Sequence, residues 1–531
     1  MVRASDVPSP RPPPGCEKGA FDGMVFSSII FLFAFLPVVL IVYHLLFLPV
    51  WWGKTAKVWR HLANLFLLLV SLLFYFWGEK FLIWVFLATV FIDYFCALLI
   101  SGALGRAQFE QLVPGERRRR SQTAVLVLSI SSNMALLGYF KYFNFGVDTY
   151  NSVAAYFGFH SAVWTAAPRV LLPLGISFFV FHSMSYTIDV YRGYVKATRN
   201  LVDYACYVLM FPQLVAGPIV RYALVARQLV ERRMTLAVFA SGVARFVTGL
   251  TKKVLVANTV AVFADRIFAL PVNDVHFGMA WLGMVAYAIQ IYFDFSGYSD
   301  MAIGLGRMVG FELPLNFDYP YTAVSIQDFW SRWHISLSTW FRDYLYIPLG
   351  GNRKSARRTY ANLVTVFFLC GLWHGAKWTF VAWGLYHGVF LVVERYGLEN
   401  RVRRFGVLRH VYTLLVVIGG WVLFRSETFT QAIGILRAMA GLTPGSSNYP
   451  IEWWTTPDLL LALTAGVICS TPLVPALQRR MEFIVENSPR HCKMYRTVFS
   501  GFRVVAAVAA MFLCAAALGS GTHNPFIYFR F

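Results

Sequence analysis

Apolar stretches long enough to cross a lipid bilayer recur along this chain, and they limit its fold more than any motif does. They lie near residues 26–48, 62–85, 86–101, 122–143, 170–190, 203–220, 238–264, 277–296, 360–393, 410–426, 456–475 and 500–519. A hydrocarbon core of about 30 Å takes roughly 20 apolar residues of helix to span. The expectation is an all-α, polytopic integral membrane protein with about ten to twelve transmembrane or re-entrant helices. Composition agrees: charged residues are 14% of the chain, against about a quarter in soluble domains.

The net charge is +21, and the basic residues cluster between the apolar stretches. Arg117 to Arg120, Arg232–Arg233, Lys252–Lys253, Arg353 to Arg358 and Arg401 to Arg404 read as cytoplasmic loops under the positive-inside rule. No basic groove interleaved with aromatics accompanies them, so membrane lipid is an expected partner and nucleic acid is not. The seven cysteines are scattered without CxxC pairs or histidines at ligand spacing, which predicts small buried hydrophobes and no metal site.

Residues 1–23 are polar and Pro-rich (SPRPPPG) and read as a disordered extension, either a tail or sequence upstream of a start at Met24. The apolar run after Met24 is too long for a signal peptide and lacks a cleavage site, so a retained first helix is expected. Residues 24–531 read as one membrane-embedded domain. Within it, "QIYFDFSGYSDMAIGLG" places Gln290, Asp294, Ser296 and Asp300 in or beside a span. Intramembrane carboxylates face protein or a wet cavity; Asp294 and Asp300 are read as bonded to neighbouring helices or an arginine. "GLGRMVG" has the wrong glycine spacing for a dinucleotide fingerprint.

Two histidine segments stand out. In "DFWSRWHISLSTWFRDYLYIPLGGNR" (328–353), Ser325 and Asp328 have capping-box spacing, and a single helix is expected to run from there to just before Pro348. At 100° per residue, Trp330, Trp333, Leu337, Trp340, Phe341 and Tyr344 share one face, and Asp328, Arg332, Thr339, Arg342 and Asp343 share the other. Such a helix lies along the membrane interface or dips in shallowly. His334 falls at the margin of the aromatic face, so it either bonds a backbone carbonyl at the interface or points with the aromatics into the protein.

The second segment, 359–395, has basic clusters at both ends and is too long for one span. "GLWHGAKW" at its centre predicts two short helices meeting deep in the protein at a non-helical elbow, with His374 and Lys377 there. Irregular backbone at that depth lines a cavity or is covered by protein. "GLWHG" (371–375) and its echo "GLYHG" (384–388) are helix-packing vocabulary, and His387 reads as a packing residue. His374, desolvated and therefore neutral, is in the form a general base needs.

These motifs together resemble the membrane-bound O-acyltransferase superfamily, most closely the polysaccharide-acetylating branch that includes alginate O-acetyltransferase membrane subunits. "LPLGISF" at 172, "YTIDVYRG" at 186, "FPQLVAGPIVRY" at 211, "GWVLFR" at 420 and the terminal "FIYFRF" extend the likeness nearly end to end. "YIPLGGNR" separates the chain from the D-alanine-transferring branch.

The resemblance implies that His374 and His334 form the active site, with His374 as base and His334 orienting the donor carbonyl or relaying a proton. Arg332, Arg342, Asp343, Lys377, Trp333, Trp373 and Asp294 are the candidate donor- and substrate-binding residues, the two arginines either holding phosphates of acetyl-CoA or anchoring headgroups. No bound cofactor is expected; acetyl-CoA or another cytosolic acyl donor is the co-substrate. The implied activity is transfer of acetyl from that donor across a bacterial inner membrane for O-acetylation of an exopolysaccharide, alginate or alternatively cellulose or peptidoglycan. The implied partners are a periplasmic SGNH-type acyltransferase, or an acetyl-accepting protein, and the polysaccharide synthesis and export machinery. No GxSxG is present to supply a serine step within the chain. A transporter would show repeated halves, which are lacking, and a scaffold would not need His374.

Overall fold

In the computed structural model every regular element is helical. No strand forms among the described residues, which are 25–51, 56–104, 109–232, 234–398, 404, 406–446, 449–486, 492–521, 524 and 527. Lipid favours this outcome, because a helix satisfies its own backbone amides where water is absent. Among the described residues, six helical stretches are long and apolar enough to cross a membrane: Phe31–Pro49, Val58–Ser101, Arg120–Tyr156, Leu236–Phe268, Leu408–Arg425 and Thr497–Gly519. Pro457–Cys469 and Leu473–Ile484, bent by 60°, make up to a seventh.

The multi-pass, all-α expectation therefore holds, but the stretches expected at 170–190, 203–220, 277–296 and 360–393 are not among these crossing helices. Residues 203–220 form Leu201–Leu209 and Phe211–Leu214 instead of a crossing helix. Nine residues rise only about 14 Å, and Pro212 has no amide with which to prolong the first helix. Residues 1–23 and Met24 lie outside the described residues.

The helices that build the centre are Arg120–Tyr156 (α1), Ile176–Arg192 (α2), Leu236–Phe268 (α3), Phe277–Met308 (α4), Ile326–Arg332 (α5), Ile335–Phe341 (α6), Ala356–His374 (α7), Trp378–Val393 (α8) and Leu408–Arg425 (α9). The 32 residues of α4 extend beyond its apolar stretch, because protein rather than lipid covers the polar half: Gln290, Asp294, Ser296 and Ser299 are buried. Helix α3 crosses α4 backbone to backbone. A Cβ on Gly304 would lie 2.6 Å from the Gly242 carbonyl oxygen, a close approach that only glycine permits.

Lys252–Lys253, expected in a cytoplasmic loop, sit inside α3 at a π turn, Lys252–Ala257. The carboxylates of α4 explain their position. Lys253 pairs with Asp294 at 2.8 Å, both side chains almost fully buried, while Lys252 and Arg245 hold Asp300 at 2.7 and 2.8 Å. Paired this way, charges persist out of water. Asp294 also accepts the Ile527 amide at 2.7 Å, which anchors the C-terminal segment to α4.

Helices α7 and α8 form the expected pair with an elbow at 375–377. Their glycine echo is the seam between them, since a Cβ on Gly384 would lie 3.1 Å from the Gly371 Cα. The elbow is partly buried and partly open: His374 and Gly375 are buried, while Lys377 at its far end pairs with the exposed Glu427.

Candidate active site

The stretch after Ser325 is two helices rather than one, and it breaks at its histidine. Ser325 Oγ accepts the Asp328 amide at 3.0 Å and caps α5, as the spacing predicts. His334 then adopts φ 44°, ψ 55°, a left-handed conformation that costs a non-glycine residue roughly 1–3 kcal/mol. The loop after α4 holds the break open. The Ile335 amide donates to the Asn316 carbonyl at 2.9 Å, and the Asp318 amide to the Arg332 carbonyl at 3.0 Å.

Helix α6 consequently packs against α2. Trp340 stacks on Phe181 at 3.9 Å, the Tyr344 hydroxyl donates to Asp189 at 2.8 Å, and Arg192 donates to the Asp343 carbonyl at 3.1 Å. At the other end His334 meets Phe178, in the first turn of α2, at 6.2 Å. The aromatic face is buried as the wheel implied, and His334 is wholly buried with it. Its aim comes from the break, which a continuous wheel cannot represent.

Asn316 settles the tautomer of His334. The Ser336 amide approaches one side-chain atom of Asn316 at 3.2 Å; an amide only donates, so that atom is the oxygen. Ser336 Oγ donates to the same oxygen at 2.9 Å, and Asn316 Nδ2 donates to Ser299 Oγ at 3.1 Å. His334 Nδ1, 3.0 Å from that oxygen, must carry the proton. The neutral ring then has its lone pair on Nε2, which is buried with no hydrogen-bond partner among the described residues.

Trp373 joins this histidine to the other. Its ring lies 6.2 Å from His334 and 4.9 Å from His374, centroid to centroid. His374 ends α7, packed against Trp383 at 4.9 Å and Phe424 at 5.3 Å, and its Nδ1 is also without a partner among the described residues. A third polar group meets the same indole. The buried Lys141 places Nζ 5.6 Å from the Trp373 ring, donates to the Trp373 carbonyl, and donates to Ser177 Oγ at 3.1 Å. A π turn within α1, Gly138–Tyr142, carries it; such widened turns concentrate at functional sites.

The remaining candidates divide. Trp373 touches both histidines. Trp333 packs into a neighbouring aromatic cluster, 5.1 Å from Phe317 and 4.9 Å from Trp421. Arg342 and Asp343 pair at 2.7 Å, and Asp343 also binds Arg221 at 2.7 Å. Burial works to raise the Asp343 carboxyl, but the Arg342 and Arg221 guanidiniums overcome it and hold the group below the usual carboxylate range. Arg221 and Arg192 both lie over the Tyr344 ring, each 5.1 Å away, so this cluster concentrates positive charge at the end of α6 remote from His334.

Arg332 is engaged with Asp328 at 2.8 Å. Lys377 turns to Glu427, and Asp294 belongs to the Lys253 pair. His387 is buried among Trp330 and Trp383 at 5.1 and 5.2 Å. Sequence reasoning passed over Asn316, Ser336, Lys141 and Arg221. A lysine inside the aromatic run "GYFKYFNF" was the one legible sign among them.

Comparison with known proteins identifies the family. The model of the membrane-bound O-acyltransferase family matches residues 24–413. A probable alginate O-acetylase of Pseudomonas putida is 40% identical over 523 residues, 96% of this chain and 100% of that protein. The peptidoglycan O-acetyltransferase of Helicobacter pylori is 36% identical over 455 residues, 79% of this chain and 80% of that protein. The teichoic acid D-alanyltransferase of Bacillus subtilis is 28% identical over 276 residues, 48% of this chain and 69% of that protein.

Proposed function

The chain belongs to the membrane-bound O-acyltransferase family and is an O-acyltransferase of the membrane; we propose that it passes acetyl groups from a cytosolic thioester donor, acetyl-CoA or another acyl carrier, across a bacterial inner membrane for O-acetylation of an exopolysaccharide. Alginate is the favoured polymer, because similarity to an alginate O-acetylase spans nearly the whole chain. A periplasmic SGNH-type acyltransferase or acetyl-accepting protein completes the transfer. The observation that carries the reading is the pair of buried imidazoles meeting one indole, each with a ring nitrogen unpartnered among the described residues, inside an otherwise aromatic wall.

Acyl transfer from a thioester needs a base, a stabilised oxyanion and exclusion of water. His374 takes the proton from the attacking hydroxyl. With Nδ1–H committed to Asn316, neutral His334 has no N–H to offer a carbonyl. Of its two expected roles, proton relay through Nε2 therefore fits and carbonyl orientation does not. The tetrahedral adduct collapses with cleavage of the carbon–sulfur bond, and the departing sulfur recovers the proton from the imidazolium. The cluster of Arg192, Arg221 and Arg342 is positioned to hold the donor's phosphates at the cytoplasmic end, where bidentate charge-assisted bonds suit guanidinium. Arg332 is bound up elsewhere.

The test is His374→Ala and His334→Ala at matched membrane levels, with acetyl content of the secreted polymer as readout. Loss of a general base should lower the rate on the order of 10²–10⁴-fold. Unchanged acetylation in His374→Ala would sink the reading.

A further inference from the structure

We propose that Lys141 is a catalytic residue, whose ammonium holds the oxyanion formed when the acetyl carbonyl is attacked. The inference rests on the acetyl-transfer reading above. It starts from an unexplained cost: Lys141 is buried, and its contacts are a carbonyl, a hydroxyl and an indole face. Burying an ammonium costs several kcal/mol unless something compensates.

A structural role would be capping, since the Trp373 carbonyl is among the last carbonyls of α7, which lack intrahelical donors. The adjacent residue shows that capping needs no charge. The Tyr142 hydroxyl, neutral and from the same π turn, donates to the Leu372 carbonyl. A lysine beside it brings a positive charge that the cap does not require.

The charge is placed where the chemistry would use it. Lys141, His334 and His374 all meet Trp373, so the ammonium and both imidazoles surround one side chain. An ammonium has three N–H donors, and the Trp373 carbonyl and Ser177 Oγ take two. The third is available to a substrate oxygen.

In the step proposed, the hydroxyl oxygen bonds to the carbonyl carbon, the carbonyl π pair moves onto oxygen, and the hydroxyl proton goes to imidazole. The Lys141 N–H stabilises the resulting anion without transferring its proton. Collapse restores the carbonyl and expels the sulfur, which takes the imidazole's proton. Removing one such donor typically costs about 10²–10³-fold in rate.

The experiment compares the initial rate of polymer acetylation in cells carrying the full chain with Lys141→Met, Lys141→Gln, Tyr142→Phe or His374→Ala, at matched membrane levels and with thermal unfolding checked in detergent. Lys141→Met is expected to fall about 100-fold or more. Lys141→Gln, which keeps a donor for the Trp373 carbonyl, should fall nearly as far, and Tyr142→Phe should stay within a few-fold. Recovery in Lys141→Gln, or a loss in Tyr142→Phe equal to that in Lys141→Met, would reduce Lys141 to a cap and overturn the proposal. If Lys141→Met fails to accumulate, the Lys141→Gln rate alone decides. Activity surviving in His374→Ala would overturn the acetyl-transfer reading itself, whereas its loss with Lys141→Met still active would overturn the lysine's role alone.

Discussion

Two of the polar centres in the membrane body are built on opposite terms. On α4, Asp294 and Asp300 each meet a cation within 2.8 Å. Around Trp373, Lys141 has carbonyl, hydroxyl and indole contacts, and His334 and His374 each keep a ring nitrogen unpartnered among the described residues. Paired charges join helices; donors and acceptors left open are what the proposed reaction would use. On the proposed function, the difference separates polarity that joins helices from polarity used in the chemistry.

The comparison breaks most visibly if the paired centre turns out to matter for chemistry. Asp294→Ala should take the carboxylate from the buried Lys253 ammonium and destabilise the protein by about 3–5 kcal/mol, seen as a lowered midpoint of thermal unfolding in detergent. Asp294→Leu combined with Lys253→Met should recover most of that loss, with normal acetylation per folded molecule. A folded but inactive double variant would move Asp294 into the active centre.

At the unpaired centre, Asn316→Ala should release the His334 tautomer and slow acetylation by about 10–100-fold, the usual cost of losing an imidazole's orienting partner. Asn316→Asp, which still accepts from Nδ1, should lose less. Equal loss in both would show that Asn316 matters only for the chain break.

A smaller effect concerns Asp343. Its folded carboxyl titrates below the ordinary range, so its contribution is present above the unfolded pKa and disappears as pH falls through the folded one. The melting-temperature gap between the wild-type chain and Asp343→Asn should therefore be full at neutral pH and close in acid. A gap that widens in acid would reverse the sign. Smallest of all, Arg332→Gln and Lys377→Gln act away from the histidines. Their unfolding midpoints should show changes within about 0.5 kcal/mol, with near-normal acetylation.

Apolar runs made the multi-pass helical fold legible, and the flanking charges with the glycine echo made the α7–α8 pair legible. The same charge rule misled at Lys252–Lys253, because a basic pair in a loop and one neutralised inside a helix look alike until their partners on α4 are in place. The mixed burial of the elbow was not legible, because Glu427, the partner of Lys377, lies 50 residues later.

Both histidines stood out in the sequence from their motifs. The geometry of His334 was not, since its left-handed backbone is imposed by Asn316, 18 residues earlier, and no local periodicity encodes that. Lys141 lies 232 residues before the carbonyl it binds. Arg332 seemed to share a site with Arg342 only while α5 and α6 were one helix.

The most direct test sets the two centres against each other in one assay: acetyl content of the secreted polymer from cells holding equal membrane amounts of His374→Ala or the Asp294→Leu, Lys253→Met pair. The account predicts polymer nearly free of acetyl in the first and close to wild-type acetylation in the second. Full acetylation with His374→Ala would contradict it.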